Sequence, residues 1–119
     1  MPNFEKFRRS NITSGAVPMV AIHARGVLAF NQQALDALEK PEAVELFYDR
    51  EATIIGMKGA PRSSPDSYVV RHHTRNSAQI AGQSFLEFYE IPREVRGRRY
   101  RAELQDGMLT VDLRQEPEE

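Results

Sequence analysis

The sequence contains no cysteine among its 119 residues. Disulfide bonds, cysteine nucleophiles and thiolate metal sites are therefore all excluded. No apolar run approaches the ~18–20 residues that a membrane-spanning helix needs. The N-terminus has no apolar segment after its charged residues, so it lacks the pattern of a secretory signal. These absences predict a cytoplasmic protein without a membrane partner.

The chain also lacks the patterns of common catalytic and cofactor sites. Its serines have no Gly-x-Ser-x-Gly setting, and no glycine-rich loop is available to cradle a phosphate. His72 and His73 are adjacent, and neighbouring residues of a strand point to opposite faces, so they cannot easily hold one metal ion. We therefore predict that the protein is not an enzyme and has no catalytic residue, metal or cofactor.

Charge is balanced overall but unevenly placed along the chain. Sixteen basic residues against 17 acidic ones give a net charge of −1, which by itself calls for no nucleic acid partner. Residues 36–51 hold six acids against two bases. Residues 93–101 hold five arginines against one acid. The length of the chain and its 40% apolar content fit one globular domain.

Two stretches of similar pattern predict an internal repeat. Residues 17–58 and 68–114 each run strand, strand, helix, strand, strand, and the turn-rich segment 59–67 links them. Residues 28–38 superpose on residues 79–89 after a shift of 51 positions. Neither half can easily bury its own apolar face, so the two halves are predicted to share one core.

The predicted fold class is mainly β with two short helices (α+β). Two pseudo-symmetric β-β-α-β-β units are expected to form one intertwined small barrel or sheet domain over residues 17–114. Residues 1–16 are predicted to be a flexible arm and residues 115–119 an acidic tail.

Local signals predict where the elements begin and end. Asn31 is placed to cap the first helix, because its side-chain oxygen can accept a bond from a free backbone N–H. Pro41 is expected to end that helix. Asp106-Gly107 predicts a tight turn between strands over residues 98–104 and 108–113.

Five arginines in the 93–101 segment form the best candidate binding surface. Arginine presents a planar fork of donors that suits phosphate oxygens. If Arg99 and Arg101 lie on a strand, they share one face, while Arg98 and Tyr100 point the other way. The candidate nucleic-acid-binding residues are Arg71, Arg75, Asn76, Arg93, Arg96, Arg98, Arg99 and Arg101. Two other interpretations stay open, namely a solvated surface that pairs with the acidic segment 36–51, and a site for another anionic partner.

Residues 25–58 carry a recognisable series of elements. A glycine turn at Gly26 leads to a short strand, a short helix follows over residues 31–38, and a hairpin ends in Ile54-Ile55 and Lys58. This series resembles the AbrB/SpoVT swapped-hairpin family, and residues 68–113 show the same resemblance more weakly. The family implies interleaved hairpins, with some members carrying two copies in one chain. Most characterised members bind DNA as transcription regulators or antitoxins.

The chain departs from the family pattern where DNA contacts are expected. Val27 stands where the family has a basic residue, Asn31 replaces the proline that opens the helix, and Leu35 and Asp36 replace arginines. These changes remove positive charge from the side that would meet phosphates. We therefore predict a non-catalytic DNA-binding regulator whose basic surface lies mainly in the second half of the chain, with Gln79 as a further candidate for a base contact. The alternative is a protein interaction or assembly module of the same fold, such as a homodimer, that binds no nucleic acid.

Overall fold

The first half follows the predicted order of strand, strand, helix, strand, strand, whereas in the second half the strands predicted over residues 68–73 and 98–104 are each divided in two. A computed structural model describes Phe4, residues 17–74 and residues 77–116. The strands are β1 (Met19–Ile22), β2 (Val27–Asn31), β3 (Ala43–Asp49), β4 (Ile54–Ala60), β5 (Tyr68–Val69), β6 (Arg71–Thr74), β7 (Ser77–Ala81), β8 (Arg98–Arg101), β9 (Glu103–Gln105) and β10 (Met108–Asp112). The helices are α1 (Gln32–Ala37), α2 (Gln83–Phe88) and a 3-10 helix over Arg93–Val95. The protein is mainly β with two short α-helices, as predicted.

The strands form two antiparallel five-stranded sheets. The first sheet has the order β6-β7-β2-β1-β8, and the second has the order β5-β3-β4-β10-β9. At the middle of the first sheet, β2 of the first half pairs with β7 of the second half. At the middle of the second sheet, β4 pairs with β10 in the same way. Each sheet is therefore built from both halves of the chain.

The two halves are also interlocked at the sheet edges. Strand β1 of the first half pairs with β8 of the second, and β5 of the second half pairs with β3 of the first. The leading strand of each half thus pairs with the first strand after the α-helix of the other. This reciprocal exchange confirms the predicted intertwined pair of units.

Two extended segments cross from one sheet to the other. Val70 separates β5 in the second sheet from β6 in the first, and Ala102 separates β8 in the first sheet from β9 in the second. Both residues are buried. The N–H of Val70 donates to the Glu42 carbonyl at 2.9 Å, and the N–H of Ala102 donates to the Pro18 carbonyl at 3.0 Å. Because these bonds satisfy the buried backbone at the corners, residues 98–104 form two strands rather than the single strand predicted.

The core lies between the two sheets. Apolar side chains alternate along the strands, so that one side of each sheet is buried and the other faces outward. Leu28 and Phe30 of β2 face Ile80 and Ala78 of β7 across the strand pair, and all four are at most 1% exposed. Val20, Met57 and Leu109 extend the same cluster into the neighbouring strands. These contacts show that both halves share one core, as predicted.

The Asn31 side chain caps α1, as predicted. Its Oδ1 atom accepts from the Ala34 N–H at 2.9 Å and from the Met19 N–H at 3.0 Å. Its Nδ2 atom donates to the Val17 carbonyl at 2.8 Å. The helix ends at Ala37, before the predicted stop at Pro41, because Glu39 and Lys40 adopt positive φ angles of 62° and 51°. The Lys40 N–H then bonds back to the Leu35 carbonyl and closes the helix end.

The 51-residue offset holds for the helices but not for the strands before them. Helices α1 and α2 begin at Gln32 and Gln83, which are 51 positions apart. The inward residues of β2 are Leu28 and Phe30, whereas those of β7 are Ala78 and Ile80. An offset of 50 is needed to match inward with inward, since a one-residue slip exchanges the two faces of a strand. Gly82, inserted between β7 and α2, supplies the extra residue.

Candidate nucleic-acid interface

The outward side of the first sheet carries a row of neighbouring side chains that crosses all five strands. Arg71 pairs with Gln79, Gln79 with Ala29, Ala29 with Ala21, and Ala21 with Arg99. These residues alternate with the buried ones, so they face away from the core. The row therefore has an arginine at each end and small or uncharged side chains between them.

The spacing of the two arginines follows from sheet geometry. Arg71 lies on one edge strand and Arg99 on the other, four strand spacings apart. At about 4.8 Å for each spacing, the two Cα atoms are roughly 19 Å apart. Both arginines are exposed.

The two sheets differ in the charge of their outward sides. We call the outward side of the first sheet the basic face. Its outward strand residues include no carboxylate: they are Met19, Ala21, Val27, Ala29, Asn31, Arg71, Ser77, Gln79, Ala81, Arg99 and Arg101. We call the outward side of the second sheet the acidic face, because it carries Glu45, Asp49, Glu103 and Asp112 against Lys58. Charge is thus separated between opposite sides of the domain.

The predicted arginine cluster is divided by the fold. Arg99 and Arg101 occupy alternate positions of β8, and Tyr100 between them is buried, as the strand pattern predicts. Arg98 pairs with inward-facing Ile22, and its Nε donates to the Glu94 carbonyl at 3.0 Å. It therefore does not share the orientation of Arg99.

Arg93 and Arg96 belong to the turn that precedes β8. Arg93 begins the 3-10 helix and is exposed. Arg96 follows that helix and is partly buried, and its Nε is enclosed without a hydrogen-bond partner. Their positions are beside the edge of the first sheet and not within the row from Arg71 to Arg99. Predicted candidates Arg75 and Asn76 lie outside the described residues.

Arg101 lies at the corner where β8 passes to the second sheet. It lines a cleft of about 250 Å³ together with Glu103 and Asp112. Gln115 closes this corner by donating from Nε2 to the Arg101 carbonyl at 2.9 Å. Because two carboxylates share the cleft, the charge of Arg101 is partly offset. Arg101 therefore lies at the edge of the basic face, and Arg71 and Arg99 are the arginines at the ends of the row.

Tyr100 holds the arginine-rich turn against the core. Its ring is buried, and its hydroxyl donates to the Val95 carbonyl at 2.8 Å. Burial raises the pKa of Tyr100 above its ordinary value of 10.0, while the positive charge of Arg98 acts in the opposite direction. The folded protein consequently favours the neutral phenol more strongly than the unfolded chain does.

Replacing Tyr100 with Phe tests this anchor. The Tyr100→Phe variant keeps the ring but loses the bond to Val95, and we expect a loss of about 1 kcal/mol in the free energy of unfolding at neutral pH. The raised pKa contributes stability that is complete below pH 10 and is lost as pH rises through the folded-state pKa. The wild type should therefore lose stability above pH 10, and the variant should lose less.

Urea denaturation between pH 8 and pH 11 measures both effects. Tyr68→Phe is the control, because it removes a hydroxyl from an exposed contact and leaves Tyr100 in place. An alkaline loss of stability that is the same in Tyr100→Phe and in the wild type would contradict the prediction.

Two polar side chains near the row, Asn31 and Gln79, differ in whether they could contact a base. Asn31 is fully engaged in capping α1 and joining β1, so it is not free to read a base. Gln79 lies between Arg71 and Ala29 on the basic face. The flat neutral centre made by Ala21 and Ala29 was not predicted from the sequence. Strand alternation would have placed both alanines on the outward side if the pairing of β2 with β7 had been known.

The part of the chain that the structure describes contains neither a metal-binding cluster nor a membrane-spanning helix. Within residues 17–74 and 77–116, no three His, Asp or Glu side chains are grouped closely enough to hold a metal ion. Across the same part of the chain, no helix is both long and apolar enough to cross a membrane. No family model, curated protein or solved structure matches this chain.

Proposed function

We propose that the protein is a non-catalytic DNA-binding regulator that holds duplex DNA on its basic face. The observation that carries this proposal is the row from Arg71 to Arg99, which has a cation at each edge and no carboxylate between them. Both arginines come from the second half of the chain. The interlocked halves also support the resemblance to the AbrB/SpoVT family, whose hairpins interleave.

The geometry of the face suits a duplex better than a single strand. The major groove of B-DNA is about 12 Å wide, and two arginines whose Cα atoms are roughly 19 Å apart can lean inward to phosphates on both sides of it. The small side chains of Ala21 and Ala29 allow the duplex to lie close to the sheet. Single-strand binding relies on exposed aromatic rings, and no outward strand residue of the basic face is aromatic.

The proposed grip is mainly electrostatic. Arginine forks bind phosphate oxygens, which position the protein without reading sequence. Gln79 is the polar side chain nearest the centre of the row and is the proposed base contact, since Gln can bond the edge of adenine. We therefore propose binding with a strong salt dependence and modest sequence preference.

The test is fluorescence anisotropy with a labelled DNA duplex between 50 and 300 mM salt. We expect the Arg71→Glu/Arg99→Glu variant to lose tenfold or more of the affinity at low salt. Its slope of log K against log salt should be shallower by about 2, because two phosphate contacts are lost.

The control keeps the same change in net charge. Arg62→Glu/Arg114→Glu reverses two exposed arginines outside the basic face, one in the loop after β4 and one after β10. Equal losses of affinity in the two variants, or wild-type binding that is indifferent to salt, would refute the proposed interface.

The second candidate function is a protein interaction module. The observation that favours it is the acidic face, where Phe47 is 40% exposed beside a cavity of about 310 Å³ that Met108 and Ile54 also line. The Lys58 ammonium lies 5.9 Å from the Phe47 ring centroid, but the four carboxylates of the acidic face outnumber it, and an exposed apolar side chain on such a face suits a basic protein partner. This candidate predicts no shift of DNA in the same titration.

A further inference from the structure

An aromatic groove lies between helix α2 and residues 65–68, beside Leu46 of β3. It has a volume of about 450 Å³ and is open to solvent. We define the aromatic groove by four rings, Tyr68, Phe85, Phe88 and Tyr89, and by the polar side chains of Asp66 and Ser84. Its Asp66 carboxylate is the only charged group among its lining residues.

The rings of the groove pack against one another but leave one ring, Phe88, exposed to solvent. Tyr89 packs edge-on against Phe88 and against Phe85, with centroids 4.9 and 5.1 Å apart. The Arg50 guanidinium lies 4.9 Å from the Tyr89 centroid, so this cluster already accepts a cation on a ring. Phe88, however, is 70% exposed. A large exposed ring in a concave site is typical of a binding surface.

The first half has no aromatic counterparts of the rings on α2, of which Phe85 is buried in the core. At the positions of α1 that correspond to Phe85, Phe88 and Tyr89, the first half has Ala34, Ala37 and Leu38. Both helices nevertheless bury a leucine at the matching position, Leu35 or Leu86. The aromatic groove is therefore an addition to the second half and not a consequence of the shared architecture.

The N-terminal segment of the chain contains aromatic and basic residues that could bind in the aromatic groove. Residues 1–16, which we call the arm, contain Phe4 and Phe7 together with three basic residues and one acidic residue. Among the described residues, Phe4 at 90% and Phe88 at 70% are the two most exposed large apolar side chains. Aromatic rings beside cations complement a groove of aromatic rings beside a carboxylate.

The attachment point of the arm favours docking on a second molecule. The arm joins the domain at Val17, whose carbonyl is bonded to Asn31 at the start of α1. Helix α2 instead starts beside the turn at Gly26, where the Gly82 N–H donates to the Gly26 carbonyl. Because Gly26 and Asn31 flank opposite ends of β2, residue 17 lies at the end of the sheet opposite the start of α2, the helix that with its C-cap residue carries three of the groove's rings.

We propose that the arm of one chain binds in the aromatic groove of a second copy, and that the exchange is reciprocal. Each arm then occupies the groove of the other chain around a two-fold axis, which gives a closed dimer. A phenylalanine of the arm covers Phe88, and Arg8 or Arg9 lies within reach of Asp66. This inference concerns a surface separate from the basic face and does not rest on DNA binding.

Cysteine cross-linking tests the contact, because the native chain has no cysteine to interfere. In the Glu5→Cys/Ser84→Cys variant, mild oxidation should give a covalent dimer on a non-reducing gel. Glu5→Cys/Glu103→Cys places the second thiol on the acidic face and should cross-link at least about tenfold more slowly. An intramolecular disulfide, no disulfide, or equal rates in the two variants would overturn the proposal.

Sedimentation equilibrium gives an independent measurement on the full chain. Phe88→Ala should raise the dimer dissociation constant about tenfold or more, since exposed aromatic anchors dominate such contacts. Phe47→Ala is the matched control on the acidic face and should leave the constant unchanged. A synthetic peptide of residues 1–16 should dissociate the wild-type dimer. A wild-type protein that stays monomeric at 200 μM, or a dimer indifferent to Phe88→Ala, would refute the exchange.

Discussion

Replacing Gly26 with alanine is expected to lower the free energy of unfolding by roughly 3–5 kcal/mol, from the combined cost of backbone strain and a steric clash. Gly26 turns the chain between β1 and β2 with a φ of 96°, a conformation that L side chains rarely adopt. A Cβ atom at this position would lie 2.6 Å from the Cα of Gln83. Since Gln83 is the first residue of α2, the clash is with backbone and cannot be relieved by rotating a side chain.

The clash would also weaken a contact between the two halves of the chain. The Gly26 carbonyl accepts the Gly82 N–H at 3.0 Å, so the β1–β2 turn of the first half holds the start of α2 in the second. Displacing α2 to make room for a methyl group would lengthen this bond and loosen the buried Leu86. The expected loss is a large part of the 5–15 kcal/mol that stabilises an ordinary domain.

Urea denaturation followed by circular dichroism measures this loss, and the chain offers a matched control. Gly107 has a φ of 78° in the β9–β10 turn, but no atom lies within 4 Å of the Cβ that alanine would add. Gly107→Ala should therefore show only the cost of the conformation, about 1–2 kcal/mol. If the two variants were equally destabilised, the close approach between Gly26 and α2 would be without energetic consequence.

Replacing Phe30 with alanine is expected to cost about 3–5 kcal/mol. Phe30 is 1% exposed and faces inward from β2, the central strand that pairs with β1 on one side and β7 on the other. Its cross-strand neighbours are Val20 and Ala78. Because Ala78 is small, it cannot extend to fill the space left by the ring, and a cavity would remain between the sheets.

Phe88→Ala is the control for Phe30, because it makes the same chemical change at a ring that is 70% exposed. We expect it to change the free energy of unfolding by less than about 1 kcal/mol when both variants are compared at low protein concentration. Thermal and urea denaturation of the two variants measure the difference. Similar losses for the two phenylalanines would contradict the placement of the core between the sheets.

Much of the fold is encoded in short-range patterns, which is why the sequence predicts it. The Asn31 cap depends on a side chain and a backbone N–H three residues away. The Asp106-Gly107 turn needs two residues with positive φ, and the structure has 52° and 78° there. The opposite orientations of Arg99 and Tyr100 follow from strand alternation alone.

Other features depend on partners that are distant in sequence. The crossing at Ala102 is set by the Pro18 carbonyl, and nothing in residues 98–104 by itself indicates a break between two sheets. The burial of Ala78 and Ile80 likewise decides which residues of β7 correspond to Leu28 and Phe30, and that offset of 50 differs by one residue from the best superposition of the sequences. Local patterns predict elements, but pairing over long distances decides register.

The candidate interface shows the same division. Arginines in the 93–101 segment were identified from composition, but the side of the domain on which each lies depends on strand pairing. Arg71 and Arg99 come to opposite ends of one row only because β2 and β7 join the two halves. Arg101 was expected to act with Arg99, yet the sheet corner brings it beside Glu103 and Asp112.

The reciprocal strand exchange has a consequence for the order in which the chain can fold. Val20 of β1 pairs with Tyr100 of β8, 80 residues later, so the first hairpin keeps an unpaired edge until the last part of the chain has been synthesised. Closing so long a loop is entropically costly, and folds dominated by such pairings form slowly. During synthesis the apolar β1–β2 hairpin would stay open to wrong partners. A nascent chain of this protein is therefore expected to need a chaperone until β8 has emerged from the ribosome.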